Sequence, residues 1–475
     1  MVVKNDSEQN AFVSFSGRSS LHYYPDYTVL NVRTTNLQHM HLFLNSTATD
    51  ILELCDGQTS INAIIEKFST KYEAPREKVK ASVWRIIEQG LNAKYLELSQ
   101  QPVEKIIIKT GSKDYYFPQQ ITIEITSNCN QKCLHCYGNF TDFNKYIFEI
   151  EKLKNLFEDS INKGMKVLTI TGGEPFTYEK IEDFIEWVLP KVDALGIISN
   201  GTLIPDSIIQ IFNKNPYKIA FQVSINGKKE YHDYFTGLPG SFDKISENIP
   251  LLVDAGVRLR VAMNTNEENI WDIQEVAQIA DSLGAFVMSV SVPYNIGREY
   301  RRRQNSEYFK NKDPYNNLEL YKKIYEEINK AKERFPNLFR NLKDFKSIMA
   351  IGESDPTTDI TQFPSIYSCG AGLKSIHIDA FGNVQICPIA KACGFPSLGN
   401  VLKQSIEEIM SSSFGKDIRN IFSPTPEHCI ADCKNFTFCM GCIARGLNKY
   451  LQLKNECKWG SEISEKINFP FNSLN

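Results

Sequence analysis

The side chains in this sequence best suited to chemistry are Cys129, Cys133 and Cys136, a Cys-x-x-x-Cys-x-x-Cys array with His135 inside it. Three thiolates at this spacing can hold three irons of a [4Fe–4S] cube, which ordinarily takes four cysteines and would here leave one iron open. They can equally make a zinc site with His135 as fourth ligand, or stay as thiols. Of twelve cysteines, one precedes residue 129, three form this array and eight follow residue 368. Such clustering favours metal ligation over a disulfide framework. The first ten residues lack a signal peptide's apolar run, so the reducing cytoplasm is expected. No apolar stretch is long enough to span a bilayer.

The elements that must position the array read clearly. Ile121–Thr126 alternates like a strand, so the cysteines sit on the loop leaving it, where α/β enzymes place their chemistry. Strands near 166–170, up to 199, near 220–225, 257–263 and 285–292 alternate with helices near 146–163, 178–190, 204–214, 242–255 and 268–283. Regular strand–helix alternation means right-handed units on a parallel sheet. Gly172, Gly173, Glu174 and Pro175 follow the second strand; glycines let backbone approach a ligand, and Glu174 can accept from an ammonium group. Ser199 and Asn200 end the third strand, Ser224 the fourth and Asn264 the fifth. The run Arg298, Arg301, Arg302, Arg303 reads as a solvated face.

The chain of 475 residues is too long for one core. Its 42% hydrophobic and 23% charged residues suit a soluble protein, and a net charge of −3 predicts neither nucleic acid nor acidic membrane as partner. The expected divisions are a loose start (1–23), a winged-helix-like unit (24–98), a linker (99–120), the strand–helix domain (121–300), a helical connection (301–364), a cysteine-rich region (365–460) and a tail (461–475). In the winged-helix-like unit, Ile61, Ile64, Ile65 and Phe68 share one helix face and Val79, Val83, Ile86 and Ile87 another. The second of these helices mixes acids with bases, which argues against DNA binding. A structural cap is the plain alternative.

The array, with Gly172–Pro175 downstream of it, resembles the radical S-adenosylmethionine (SAM) superfamily. That resemblance implies a partial (β/α)6 barrel, with a cluster on Cys129, Cys133 and Cys136 whose open iron chelates SAM. It implies that Gly172, Gly173, Glu174 and Pro175 hold the amino group. Ser199, Asn200, Ser224 and Asn264 would contact ribose and carboxylate, and Tyr137 the adenine. Two positions depart from the family: Asn226 stands where aspartate is common and Thr236 where arginine is, so Arg260 or Arg258 is expected to hold the carboxylate.

The C-terminal cysteines resemble a SPASM domain with two auxiliary [4Fe–4S] clusters. By motif position, Cys369, Cys387 and Cys442 match the first, and Cys429, Cys433, Cys439 and Cys457 the second, with Cys393 a possible eighth ligand. Leu44–Ala48 with Asp56 and Gly57 resembles the peptide-recognition element of ribosomal-peptide maturases, in which a precursor's leader adds a strand to the sheet edge. Val261–Met263, Cys369–Ile376 and Gly441–Asn448 are similar to the sactisynthases, the maturases of subtilosin-type bacteriocins. The resemblance implies an oxidoreductase that joins a precursor's cysteine sulfur to an α-carbon, served by a flavodoxin- or ferredoxin-type reductant. A Cβ/Cγ thioether or a carbon–carbon bond is the alternative chemistry; a zinc-stabilised peptide-binding adaptor is the alternative without catalysis.

Overall fold

A computed structural model describes residues 10–339 except 17, 34–38, 106, 141–145, 292–295 and 307–317, and residues 370–466 except 420, 422–423, 425–438, 440–441 and 454–456. The chain divides into two units, residues 1–117 and 118–475.

The first unit carries β1 (Phe12–Phe15), β2 (Arg18–Tyr23), β3 (Thr28–Arg33), β4 (His39–Leu44), α1 (Ser46–Glu53), β5 (Asp56–Ser60), α2 (Ile61–Lys71), α3 (Arg76–Asn92), β6 (Leu96–Ser99) and β7 (Ile108–Gly111). One sheet runs β4-β3-β2-β7 and the other β5-β1-β6. Side-chain caps start two helices: Asn45 accepts from the Ala48 N–H at 2.8 Å and Ser60 from the Ala63 N–H at 3.2 Å. Their apolar stripes, Ile51, Ile64, Ile65 and Phe68, join Val83 and Ile87 of α3 in one core with Val13, Leu21 and Leu30. Two expectations are corrected. Residues 12–23 are not a loose start but form β1 and β2, whose partners β5, β6 and β7 lie far along the sequence. The 99–120 segment is not only a linker, because β7 pairs in parallel with β2. The sequences of β1 and β2, Phe-Val-Ser-Phe and Arg-Ser-Ser-Leu-His-Tyr, do not alternate apolar with polar residues, so neither announces itself.

The second unit begins with β8 (Gln120–Glu124), α4 (Ile150–Asn162), β9 (Val167–Thr171), α5 (Ile181–Val188), β10 (Ala194–Ser199), α6 (Asp206–Asn213) and β11 (Ile219–Ser224). It continues through α7 (Lys229–Thr236), α8 (Ser241–Asp254), β12 (Arg258–Asn264), α9 (Ile273–Ser282), β13 (Val287–Ser291), α10 (Gly297–Gln304) and α11 (Leu318–Arg334). Past residue 370 come β14 (Ser375–Ile378), β15 (Asn383–Gln385), α12 (Pro388–Ala392) and β16 (Gly399–Asn400). The sheet order is β13-β12-β11-β10-β9-β8-β14-β15-β16. Neighbours from β8 to β13 pair in parallel, which is the expected half-barrel of six strands. Ile121, Ile123, Leu168, Ile170, Leu195, Ile197, Phe221, Val223, Leu259 and Val261 are buried at every second position. Of the polar strand-end groups, Ser224 and Asn264 fall at the intervening positions, while Ser199 continues the buried set of β10. Helix α7, ended by Gly237, was not anticipated, since Lys229–Thr236 is polar on most sides.

One feature of the sheet was invisible in the sequence. The C-terminal strand β14 pairs in parallel with β8, Ile376 opposite Ile121 and Ile378 opposite Ile123. The cysteine-rich region therefore continues the barrel sheet past its first strand.

Candidate active site

The cysteine loop leaves the C-terminal end of β8 and is tied down on three sides. Tyr146 donates its N–H to Ser127 Oγ at 2.6 Å. The N–H groups of Lys132 and Leu134 donate to the carbonyls of Thr236 and Phe235, both at 2.9 Å. Arg298 donates its N–H to the Cys136 carbonyl at 3.0 Å and its guanidinium to the Cys133 carbonyl at 2.8 Å. Part of the basic run thus clamps the loop instead of facing water. Arg303, 3% exposed, is paired with Glu267 and Glu299.

Gly172 and Gly173 lie against this loop backbone to backbone. A Cβ on Gly173 would stand 2.2 Å from the Asn128 carbonyl oxygen and 2.9 Å from Cys129 Cβ. One on Gly172, whose φ is +153°, would meet the Thr126 carbonyl at 2.4 Å. No side chain fits at either position. The close approach lets Gly173 donate to the Thr126 carbonyl at 2.9 Å and Glu174 to the Asn128 carbonyl at 2.7 Å.

One cavity opens where loop and strand ends meet. Cys129, Cys133, Cys136 and Tyr137 line one side; Gly172, Gly173, Ser199, Asn200 and Ser224 line another. Other expected residues stand apart. Glu174 and Pro175 are not on the wall. The Glu174 carboxylate accepts from Ser199 Oγ at 2.9 Å, the Asn200 N–H at 2.7 Å and the Phe176 N–H at 3.1 Å. Its carbonyl accepts from Thr177 Oγ1 at 2.7 Å. Glu174 staples the second strand's loop to the third strand's end. Burial lifts its carboxyl to about 7, against the pull of those donors.

Asn264 stands behind the wall, its Nδ2 3.1 Å from His135 Nε2. His135 also stacks on Phe235, with ring centroids 4.8 Å apart, and burial holds it down to about 4. Of the ring nitrogens only Nε2 is engaged in this way, and Nδ1 is buried without a partner. Arg260 lies four residues short of the end of β12, with Nε donating to Ser289 Oγ at 2.7 Å, and Arg258 packs over the Phe286 ring. Neither arginine reaches the cavity. Thr236, the neutral departure, does line it.

Sequence reasoning passed over Gln131 and Glu124, and named Asn226 only as a departure from the family. Gln131 sits on the wall, 4% exposed, between two of the cysteines. Asn226 is fully buried there with Nδ2 lacking a partner. Glu124, the last residue of β8, is fully buried. It accepts from the Tyr137 phenol at 3.0 Å and the Ala380 N–H at 3.1 Å, with His377 Nε2 also 3.0 Å away. A lone carboxylate among the isoleucines of a core strand was the available signal.

In the C-terminal region, Cys387 precedes α12 and its Sγ accepts from the Ala390 N–H at 3.3 Å; Cys393 follows the same helix. Cys439 is buried, Cys442 donates its N–H to the Cys439 carbonyl at 3.0 Å, and Cys457 Sγ accepts from Gly460. Cys369, Cys429 and Cys433 lie outside the described residues. All nine cysteines among the described residues carry free thiols.

A cysteine loop at the mouth of a parallel half-barrel, packed on a glycine pair from the next strand, defines a radical SAM protein, a class that works with a [4Fe–4S] cluster and SAM. Residues 123–280 match the radical SAM superfamily model, and the chain carries two further regions. Residues 29–96 match coenzyme PQQ synthesis protein D (PqqD), and residues 369–442 match the SPASM iron–sulfur cluster-binding domain. Among curated proteins it is 29% identical over 442 residues to the antilisterial bacteriocin subtilosin biosynthesis protein AlbA of Bacillus subtilis, covering 91% of each chain. It is 24% identical to the sporulation killing factor maturation protein SkfB of the same organism, covering 70% of this chain and 77% of that one. Streptococcus suis SuiB, solved with its precursor peptide SuiA, shares the fold with a TM-score of 0.64 at 14% identity, covering 94% of this chain and 98% of SuiB.

The residues present fit the groups this class uses. Three thiols line one cavity, a backbone cradle closed to any Cβ lies against their loop, and the Asn226 amide offers a buried N–H with no protein partner. No helix among the described residues is long and apolar enough to cross a membrane.

Proposed function

We propose that this protein installs intramolecular thioether bridges, cysteine sulfur to α-carbon, in a ribosomally made precursor peptide during bacteriocin biosynthesis. The observation that carries this reading is the match to AlbA along 91% of both chains, which includes all three regions. In this reading Cys129, Cys133 and Cys136 hold the cluster that binds SAM. The Gly172 and Gly173 carbonyls take the SAM ammonium, while Ser199, Asn200, Ser224 and the Asn226 amide take its polar remainder. Tyr137, held by Glu124, forms a wall for the adenine. When bound, the cluster and SAM supply a 5′-deoxyadenosyl radical on one-electron reduction, and auxiliary clusters take up the surplus electron. Cys369, Cys387, Cys429, Cys433, Cys439, Cys442 and Cys457 would hold those auxiliary clusters. The reductant is of flavodoxin or ferredoxin type.

The leader docks on the first unit. β4 is at the edge of its sheet, and Ile51, Phe68, Tyr72, Val79 and Val83 line an apolar groove between α1, α2 and α3. An edge strand with a neighbouring apolar groove is what strand addition by an extended peptide requires.

The test uses anaerobically reconstituted protein, SAM, a reductant and a cysteine-containing precursor peptide. The expected products are 5′-deoxyadenosine and a peptide lighter by two hydrogens per bridge, with fragmentation placing the new bond at an α-carbon. Alanine at Cys129, Cys133 or Cys136 removes both products. 5′-Deoxyadenosine with an unaltered peptide mass would refute bridge formation.

A further inference from the structure

Gln131 contacts two of the three cysteine sulfurs that the proposed reading gives to iron. Its backbone N–H donates to Cys129 Sγ at 3.4 Å, and its side-chain Oε1 lies 3.2 Å from Cys133 Sγ, accepting the thiol proton. The side chain is 4% exposed, and its Nε2 is buried without any partner.

This amide cannot keep that arrangement once iron is bound. A ligating cysteine is a thiolate and has no proton to give. Oε1 would then face a sulfur that only accepts. Turning the carboxamide half a revolution puts Nε2–H on Cys133 Sγ, and the two ends are so alike in size that packing does not oppose it. The turn also removes an orphaned N–H from the interior. The oxygen that replaces it lies on the cavity wall, and buried carbonyls tolerate missing partners better than N–H groups do.

We infer that Gln131 is a redox-positioning residue. In the loaded enzyme it donates twice to the cluster that binds SAM, from its backbone to Cys129 and from its side chain to Cys133. Hydrogen bonds to ligand sulfurs help set an iron–sulfur cluster's reduction potential; by offsetting negative charge on sulfur they raise it. The Gln131 side chain therefore makes this cluster easier to reduce. The inference rests on the ligation proposed above, and its test separates the two.

The experiment is an anaerobic redox titration of the holoenzyme followed by electron paramagnetic resonance, reading the reduced-cluster signal that changes on SAM addition. In the unsubstituted protein, that signal together with 5′-deoxyadenosine formation checks the ligation. Gln131→Leu keeps the bulk and removes the donor. It should retain full iron, and its midpoint should fall so that the cluster is about tenfold less reduced at a fixed potential, about 59 mV for one electron. Gln131→Glu, ionised and without a donor, should shift the midpoint the same way and further. The signals unaffected by SAM should keep their midpoints in both variants. An unmoved midpoint with full iron would overturn the inference while leaving the ligation standing. Loss of iron from both variants, with an intact circular dichroism spectrum, would also overturn it and assign Gln131 to cluster assembly.

Discussion

Glu124 and His377, 253 positions apart in the chain, meet at 3.0 Å in the interior where β8 pairs with β14. Burial pushes the Glu124 carboxyl up, but the His377 hydrogen bond and charge, with Lys391 and the Ala380 N–H, more than offset this and hold it down to about 2. Lys391 Nζ, 3.6 Å from Glu124 Oε2, also pairs with Asp379 at 2.9 Å. One carboxylate thus joins the barrel's first strand, the cavity's tyrosine and the helix between Cys387 and Cys393.

Glu124 should make stability fall in acid. Its folded value lies below the 4.5 of the free side chain, so the contribution is complete above 4.5 and is lost as pH falls towards 2. The shift corresponds to about 3 kcal/mol. Glu124→Gln, which leaves His377 Nε2 and the Lys391 ammonium without their carboxylate, should cost roughly 3–5 kcal/mol at neutral pH. Denaturant unfolding of the protein and variant at pH 7 and at pH 4 measures both effects.

Glu174 should act in the opposite sense. Its folded value of about 7 lies above 4.5, so the folded state retains a proton that the unfolded chain has released. Stability from this group is complete below 4.5 and is lost as pH rises through 7. Replacement by glutamine should abolish that slope. It should also destabilise by roughly 1–3 kcal/mol at pH 6, because an NH2 would face the N–H of Asn200 or Phe176. Unfolding curves at pH 5, 6, 7 and 8 check both outcomes.

Arg298 holds the cysteine loop through two carbonyls, at Cys133 and Cys136. Arg298→Ala removes the guanidinium bond, and a hydrogen bond to a charged group contributes about 1.5–3 kcal/mol. Iron should leave the reconstituted variant roughly tenfold faster or more under a chelator, at 1.4 kcal/mol per tenfold. Release at the native rate would mean that the loop is held by its other contacts.

Val79, 9% exposed in the groove of the first unit, gives a test of leader docking that is independent of the cluster. Val79→Glu places a charge where an apolar side chain of the leader would sit. The leader's Kd should rise at least tenfold, by calorimetry with a synthetic leader peptide, while 5′-deoxyadenosine formation without peptide is unchanged. Equal affinity would remove α3 from the docking surface.

The parts of the site that follow from local pattern could be read before the structure. The half-barrel came from the alternation of strands and helices, and the cysteine loop from the array at a strand's end. The polar residues at strand ends came from the same register, and Ser199, Asn200 and Ser224 do line the cavity. Contacts between distant segments could not be read in this way. The Arg298–Cys133 bond spans 165 positions, and the arginine run gave no sign of facing inward. Glu174 looked like a ligand group because its motif places it beside the site; only the fold shows its oxygens taken by Ser199, Asn200 and Phe176. Arg260 was chosen for charge, but its position in β12 puts it beside Ser289.

The parallel pairing of β8 with β14 has a bearing on protein engineering. A fragment cut off after the sixth barrel strand would lose the hydrogen-bonding neighbour of its first strand and bare a row of backbone donors and acceptors beside Ile121 and Ile123. Such a truncated catalytic half invites self-association, so any minimal version of this protein must keep residues 375–378.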